Sequence, residues 1–220
     1  MSRISRIVVP KYPHHVTQRG VGPVPVFHDD ADRLAYLELI AQETDRFGVE
    51  VLAWCLMNNH VHFVVVPEEE HSLARAFGEG HRRYTRRRNA RDGVSGLLFQ
   101  GRFASSVLDE LHLRAAVRYV EIHPVQARLV ERPGDYPWSS APFHTGAKTT
   151  DPLVKDHTLR GLVERWEEFL ADDDTAAVHL LRQTTRTGRP TGDAQFLSRI
   201  ASLTGRNLGK GSPGRPKKRQ

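Results

Sequence analysis

Two apolar runs separated by two asparagines constrain this chain more than any other feature: "VEVLAWCLM" (Val49 to Met57), then Asn58-Asn59, then "HVHFVVVP" (His60 to Pro67). Runs of this length and composition, joined by a pair of turn-forming residues, predict an antiparallel hairpin. Side chains alternate along a strand, so Val61, Phe63 and Val65 share one face while His60 and His62 share the other. A buried apolar face accounts for the first set. Two imidazoles at i and i+2 require either water or a purpose.

The flanking segments extend the hairpin into a sheet. "HHVTQRG", from His14, alternates enough for a short first strand closed by Gly20. "DDADRLAYLELIAQETDRFG" predicts a helix, with Asp29 or Asp30 as its cap, Leu34, Leu37, Ala41 and Thr44 at helical spacing, and Gly48 at its end. "HSLARAFGEGHRRYTRRRN" predicts a second helix that sets Leu73, Phe77 and Tyr84 on one stripe and arginines on the other side. "GRFASSVLDE" reads as a fourth strand, and "LHLRAAVRYVEIHP" as a third helix with a Leu113, Val117, Val120 core stripe, stopped by Pro124. The order strand-helix-strand-strand-helix-strand predicts an α+β, ferredoxin-like (split βαβ) antiparallel sheet with helices on one face. His60 and His62 then look to the open face. "DYPWSSAPFH" reads as an aromatic wrap whose Tyr136 and Trp138 anchor it to the core, and "TLRGLVERWEEFL" (158–170) as a further helix. The remainder predicts a small helical module between basic, Gly- and Pro-rich flanks, which divides the chain into residues 1–145 and a C-terminal helical extension, 146–220.

Composition narrows the setting. No apolar run approaches the length of a membrane span. The single cysteine, Cys55, lies inside an apolar strand, so no disulfide framework is expected and a reducing compartment fits. The formal net charge of +6 is unevenly spread. After Asp193 there are seven basic residues and no acidic one, and without them 25 basic residues face 26 acidic ones. A second basic zone runs from Arg75 to Arg102, opposed there only by Glu79 and Asp92. Two separate basic zones favour a polyanionic partner, most often nucleic acid, although either zone alone is also consistent with a solvated surface.

Two histidines on one strand face can converge on one cation, imidazole being a good ligand for transition metals. On the pair alone, surface histidines on a half-exposed strand are the simpler account. The third helix offers partners: Tyr119 and His123 stand four residues apart, on one helical face. A tyrosine and a third imidazole brought against His60 and His62 make a three-histidine site with a phenol alongside. Tyr84 is the rival tyrosine, but its place on the Leu73–Phe77 stripe argues for packing. His14 and His15 on the first strand are expected in a plain edge-strand role, with a place near the site as the alternative, and Gln18 and Arg19 are left undecided.

"MNNHVHFVVVP", "HRRYTRRRN", "LFQGRFASS", "RYVEIHPVQARLV" and "DYPWSS" occur in the order found in single-tyrosine HUH transposases, and over Pro13 to Ser140 the chain most resembles the REP-associated tyrosine transposases. The resemblance implies a metal-dependent enzyme of the bacterial cytoplasm, associated with the nucleoid, that cuts and rejoins single-stranded or hairpin DNA through a 5′-phosphotyrosine intermediate. It implies Tyr119 as the catalytic nucleophile and His60, His62 and His123 as ligands of a divalent metal, Mn2+ or Mg2+. Arg82, Arg83, Arg86, Arg87, Arg88 and Arg102 are expected to hold DNA phosphates. Arg215, Lys217 and Lys218, in a "GRPKK" tail resembling a minor-groove hook, are expected to add affinity. The chain departs from the family at His123, where an amide is usual, and at Asn58-Asn59, where Pro-Asn is frequent. A DNA-binding protein on the same fold that has lost cleavage is the alternative reading, and monomer and homodimer are both left open.

Overall fold

The computed structural model describes residues 6–155, 159, 163, 165–172 and 175–208. The hairpin forms as its sequence dictates: β2 (Val49–Met57) and β3 (His60–Pro67) pair antiparallel with Met57 opposite His60 across the two-residue turn. Neither asparagine adopts a positive φ. Outside partners hold the turn instead: Asn58 O accepts from Val26 N–H at 2.7 Å, and Asn59 O from Gly20 N–H at 2.9 Å. β1 (His14–Arg19) and β4 (Ala104–Val107) complete an antiparallel sheet of order β2-β3-β1-β4. That is the ferredoxin-like order, with β1 in the interior of the sheet.

The helices α1 (Asp30–Arg46) and α2 (Ser72–Asp92) cover the face carrying Val16, Val61, Phe63 and Val65. Asp29 caps α1, its side chain accepting from Asp32 N–H. The buried stripe of α1 is Tyr36, Leu37, Ile40 and Thr44, whereas Leu34 is exposed, so the expected stripe was rotated by part of a turn. α1 and α2 approach closely at Gly80, where an added Cβ would stand 2.8 Å from Ile40 Cδ1. Gly93, at φ +64, closes α2 in the left-handed region.

The second face is not open. The helix α3 (Glu110–Gln126) packs across it, and Ala116, Val117, Tyr119 and Val120 join Ala53, Cys55, Met57 and Val64 in a separate apolar cluster. The expectation of helices on one face alone is corrected here: a sheet flanked by Cys55, Met57 and Val64 on its second side needs a second cover. Pro124 does not stop α3, which runs two residues further to Gln126. After a single 3₁₀ turn at Pro133–Asp135, α4 (Ala141–His144) and α5 (Trp166–Ala171) follow the aromatic wrap. Of the helix expected over 158–170, only its end is helical among the described residues, and 158, 160–162 and 164 lie outside them.

Residues of the C-terminal extension pack into these clusters. Leu181 of α6 (Thr175–Thr187) belongs to the α3 cluster, while Phe196 and Ile200 of α7 (Ala194–Thr204) form a third cluster with Ile7, Val9 and Val107. Thr191 bridges to Leu108 in parallel beside β4, its N–H donating to Val107 O at 2.8 Å. No helix among the described residues is long and apolar enough to cross a membrane.

Candidate functional site

The alternation of β3 directs His60 and His62 at α3, and the i, i+4 spacing on α3 returns Tyr119 and His123 toward them. The four rings converge. Centroid separations are 5.0 Å for His60–His62, 5.1 Å for His60–His123, 5.0 Å for His62–His123, 5.3 Å for His62–Tyr119 and 5.2 Å for Tyr119–His123. One chain supplies every member.

Nitrogens of His60, His62 and His123 all lie within 4.8 Å of one another. His60 Nε2 and His123 Nε2 are 3.0 Å apart. Two ligand nitrogens bonded at about 2.0–2.1 Å to a tetrahedral ion stand roughly 3.3 Å apart, so the donor set fits a divalent transition metal with a shift of a few tenths of an ångström. His123 Nδ1 is buried without a hydrogen-bond partner, which leaves a nitrogen of that ring unaccounted for by protein. Burial holds all three rings neutral, reinforced by His123 and Arg19 at His60, by Arg182 at His123, and by the neighbouring imidazoles and Arg182 at His62. His60 and His123 are pulled down to about 4, and His62 lies well below the ordinary histidine value. Neutral imidazoles offer their lone pairs at neutral pH.

Two contributors come from outside the expected set. His15, on β1, sets its Nε2 3.0 Å from His62 Nδ1 and its Nδ1 2.8 Å from Thr185 Oγ1 on α6. Arg182, one turn earlier on α6, carries its guanidinium 4.9 Å from the centre of the Tyr119 ring. Of the two roles open to His15, the one near the site is the one its contacts favour. The signal was legible in part, since the parity that turns His62 toward α3 also turns Thr17, its register partner, and hence His15. Nothing in the sequence announces that α6 folds back onto this face. His14, of opposite parity, is a satisfied core residue: its Nδ1 meets Tyr12 O at 2.8 Å and its Nε2 accepts from Val9 N–H at 3.3 Å.

A cavity of about 250 Å³ opens beside Tyr119 and His62 and is lined by Arg19, Arg102, Arg182 and Arg186, with no carboxylate on its wall. Arg102 is therefore placed at the site. The α2 arginines are on the other side of the sheet, and they differ among themselves. Arg82 pairs with Glu79, and Arg83 with buried Glu43. Arg86 and Arg87 are exposed. Arg88 is corrected: it is 2% exposed, pairs with Asp92 and Asp32, and donates to Val26 O, so it offers nothing to a ligand. Arg215, Lys217 and Lys218 lie outside the described residues.

Tyr84 also sits on the α1–α2 side, its hydroxyl donating to Val26 O at 2.9 Å, remote from the histidines. Tyr136 anchors the wrap, donating to Leu56 O at 2.8 Å. Glu121 points away from the site and is fully buried. Its carboxylate accepts from Ser140, His144 and, at 2.7 Å, from Trp166 Nε1, tying the wrap and α5 to α3.

Comparison with known proteins bears on the family and the fold. A family model described as "Transposase IS200 like" matches residues 7–123. Among solved structures, the REP-associated tyrosine transposase bound to a REP hairpin superposes with a TM-score of 0.55 at 18% identity, covering 71% of this chain and 92% of that one. A transposase-like protein from Deinococcus radiodurans R1 matches with a TM-score of 0.38 at 19% identity, over 58% of this chain and 95% of that one. No curated protein matches the sequence.

Proposed function

This chain belongs to the IS200-like transposase family, and from that premise we propose that it is a metal-dependent single-stranded DNA endonuclease and strand transferase working on hairpin-forming DNA. The observation that carries the reading is the convergence of Tyr119 with three neutral imidazoles beside an arginine-lined cavity. The fold it shares with a hairpin-bound transposase supports the choice of substrate.

A divalent ion held by His60, His62 and His123 would supply Lewis acidity to a non-bridging oxygen of the scissile phosphate. Everything else is done by the chain. Arg19, Arg102, Arg182 and Arg186 line the cavity and bind the phosphodiester backbone on either side of the cut. Tyr119 attacks phosphorus through its hydroxyl oxygen, which loses its proton. The bond to the 3′ oxygen breaks, and that oxygen takes up a proton to leave as a free 3′-OH. The 5′ phosphate is held as a phosphotyrosine ester, so the energy of the phosphodiester is kept and a second strand's 3′-OH reverses the step. A phenol ionises only near pH 10, and the cation over the Tyr119 ring favours the phenolate that forms during attack. Arg86 and Arg87, with the tail residues Arg215, Lys217 and Lys218, extend DNA contact beyond the centre, on the chromosome of the cytoplasm in which the enzyme works.

The test is a denaturing gel with end-labelled hairpin oligonucleotides and Mn2+. A label on the 3′ side of the cut should become protein-linked with the wild type and not with Tyr119→Phe. Hairpin binding without any covalent product, across a broad oligonucleotide pool and several metals, would replace this reading with that of a binding protein.

A further inference from the structure

His62 faces two demands. Its Nε2 must be bare to hold a metal, and a neutral imidazole can be bare on one nitrogen only, so its proton must sit on Nδ1. His15 Nε2 stands 3.0 Å from that Nδ1, and Thr185 Oγ1 stands 2.8 Å from the far nitrogen of His15. The two rings are within 6° of parallel with centroids 5.2 Å apart. With a nitrogen–nitrogen contact of 3.0 Å, that places them side by side in one plane, where N–H bonds and lone pairs lie, rather than face to face. His15 and Thr185 are each 2% exposed and His62 6%, at the inner wall of the cavity beside Tyr119. Resting on the metal-site reading above, we propose that Thr185 and His15 are positioning residues: they take up the proton that His62 must carry on Nδ1 when its Nε2 holds a divalent cation.

Only two proton arrangements satisfy the three groups. In the first, His62 Nδ1–H donates to His15 Nε2, His15 Nδ1–H donates to Thr185 Oγ1, and His62 Nε2 is bare. In the second every bond reverses, and the proton of His62 stands on Nε2, where a metal would bind. A threonine hydroxyl can accept or donate, so it accommodates both; a metal on His62 Nε2 admits only the first, in which Thr185 accepts. Removing its oxygen leaves His15 Nδ1–H buried without a partner, so His15 moves its proton to Nε2 and forces that of His62 toward the metal position. His60 follows the same rule more simply. Its Nδ1 lies 2.6 Å from Asn59 Oδ1, a carbonyl oxygen that can only accept, so Nε2 is again the bare nitrogen. Both strand histidines thus present the same atom, one set by a neighbour in the hairpin turn and the other by a helix some 120 residues away. The extension is in this sense part of the metal centre.

The experiment measures Mn2+ binding to the full chain without DNA, by loss of the free-ion electron paramagnetic resonance signal, for wild type, Thr185→Val and Thr185→Ser. Thr185→Val should weaken Mn2+ by about ten- to a hundredfold, and Thr185→Ser, which keeps the acceptor, should restore most of it. Melting in EDTA checks that the variants are folded. Equal Mn2+ affinity in wild type and a folded Thr185→Val overturns the proposal. Wild type that binds no Mn2+ overturns the metal-site reading itself. Should Thr185→Val not fold, long-range proton–nitrogen NMR of the wild type loaded with diamagnetic Zn2+ decides the matter: His15 protonated on Nδ1 sustains the proposal, and His15 protonated on Nε2 overturns it.

Discussion

Each face of the sheet carries tyrosines beside histidines, and the two arrangements have opposite outcomes. On the α1–α2 face, Tyr36, Tyr84 and His81 pack against Phe63 and Phe77; the Tyr36 hydroxyl meets His81 Nε2 at 2.9 Å, and Tyr84 donates to Val26 O. Both tyrosine hydroxyls and His81 Nε2 are spent on protein, and apolar residues pack around the group. On the α3–α6 face, Tyr119 packs against His62 and His123, and each of His60, His62 and His123 turns one nitrogen toward the others, next to a cavity walled by arginines. Proximity of tyrosine and histidine is therefore no sign of a site. Lone pairs left unspent and aimed at one point, beside space for a ligand, are.

The largest expected effect tests that difference directly. Tyr119→Phe should abolish the covalent DNA product, while Tyr84→Phe should retain it and cost about 1 kcal/mol of stability for one lost buried hydrogen bond, read from urea titration. A product that survives Tyr119→Phe and disappears with a folded Tyr84→Phe would invert the assignment of the two faces.

Metal choice comes next in size. Three imidazoles suit Mn2+ or a softer ion better than Mg2+, which prefers oxygen ligands. Single-turnover cleavage at saturating metal should therefore run faster with Mn2+ than with Mg2+ in the wild type. His123→Asn, which returns the amide usual in the family, should narrow the gap. Equal rates with the two ions in the wild type would remove His123 from the ligand set.

The hairpin, the order of the sheet and the positions of Tyr119, His60, His62 and His123 were legible because each rests on a local period: two for a strand, 3.6 for a helix. What was illegible involves elements that meet across long stretches of chain. Arg88 has the composition of a DNA contact but the spacing of Leu73, Phe77 and Tyr84, and its partners Asp32 and Asp92 neutralise it inside the core. Leu34 has the spacing of a core residue yet is 60% exposed, because Tyr36 and Ile40 set the buried stripe instead. The closure of the second face by α3 and α6 depends on Leu181 and Val117 finding Ala53 and Val64, which no single segment encodes. His15 was undervalued for the same reason, since its partner Thr185 is 170 residues away.

A smaller effect separates the faces by pH. Burial pulls His81 down to about 3 in the folded chain, against about 6.5 for an exposed histidine. The unfolded chain therefore binds the extra proton first. The stabilisation from keeping His81 neutral is complete above about pH 6.5 and is lost as pH falls toward about 3, at a slope of at most roughly 1.4 kcal/mol per pH unit. Urea titrations in EDTA at pH 7.5 and 5.0 should show wild type losing stability, and His81→Gln losing less between the same two points. An identical loss in both would mean that His81 is already protonated in the fold.

The smallest expected effect concerns the arginines, and it asks whether DNA spans both faces or only one. Arg86 and Arg87 are exposed on α2, whereas Arg182 and Arg186 line the cavity beside Tyr119. Each phosphate contact removed should lower the slope of log affinity against log salt by about 1. If the hairpin lies along α2 while its single strand enters the cavity, Arg86→Ala with Arg87→Ala should weaken hairpin binding and flatten the salt dependence, yet leave the single-turnover cleavage rate at saturating DNA unchanged. Arg182→Ala should slow that rate as well, because its guanidinium sits over the attacking ring and not only on the path of the backbone. A salt slope insensitive to the α2 pair would confine DNA to the α3–α6 face, and the arginines of α2 would then belong with Arg88 as structural charge.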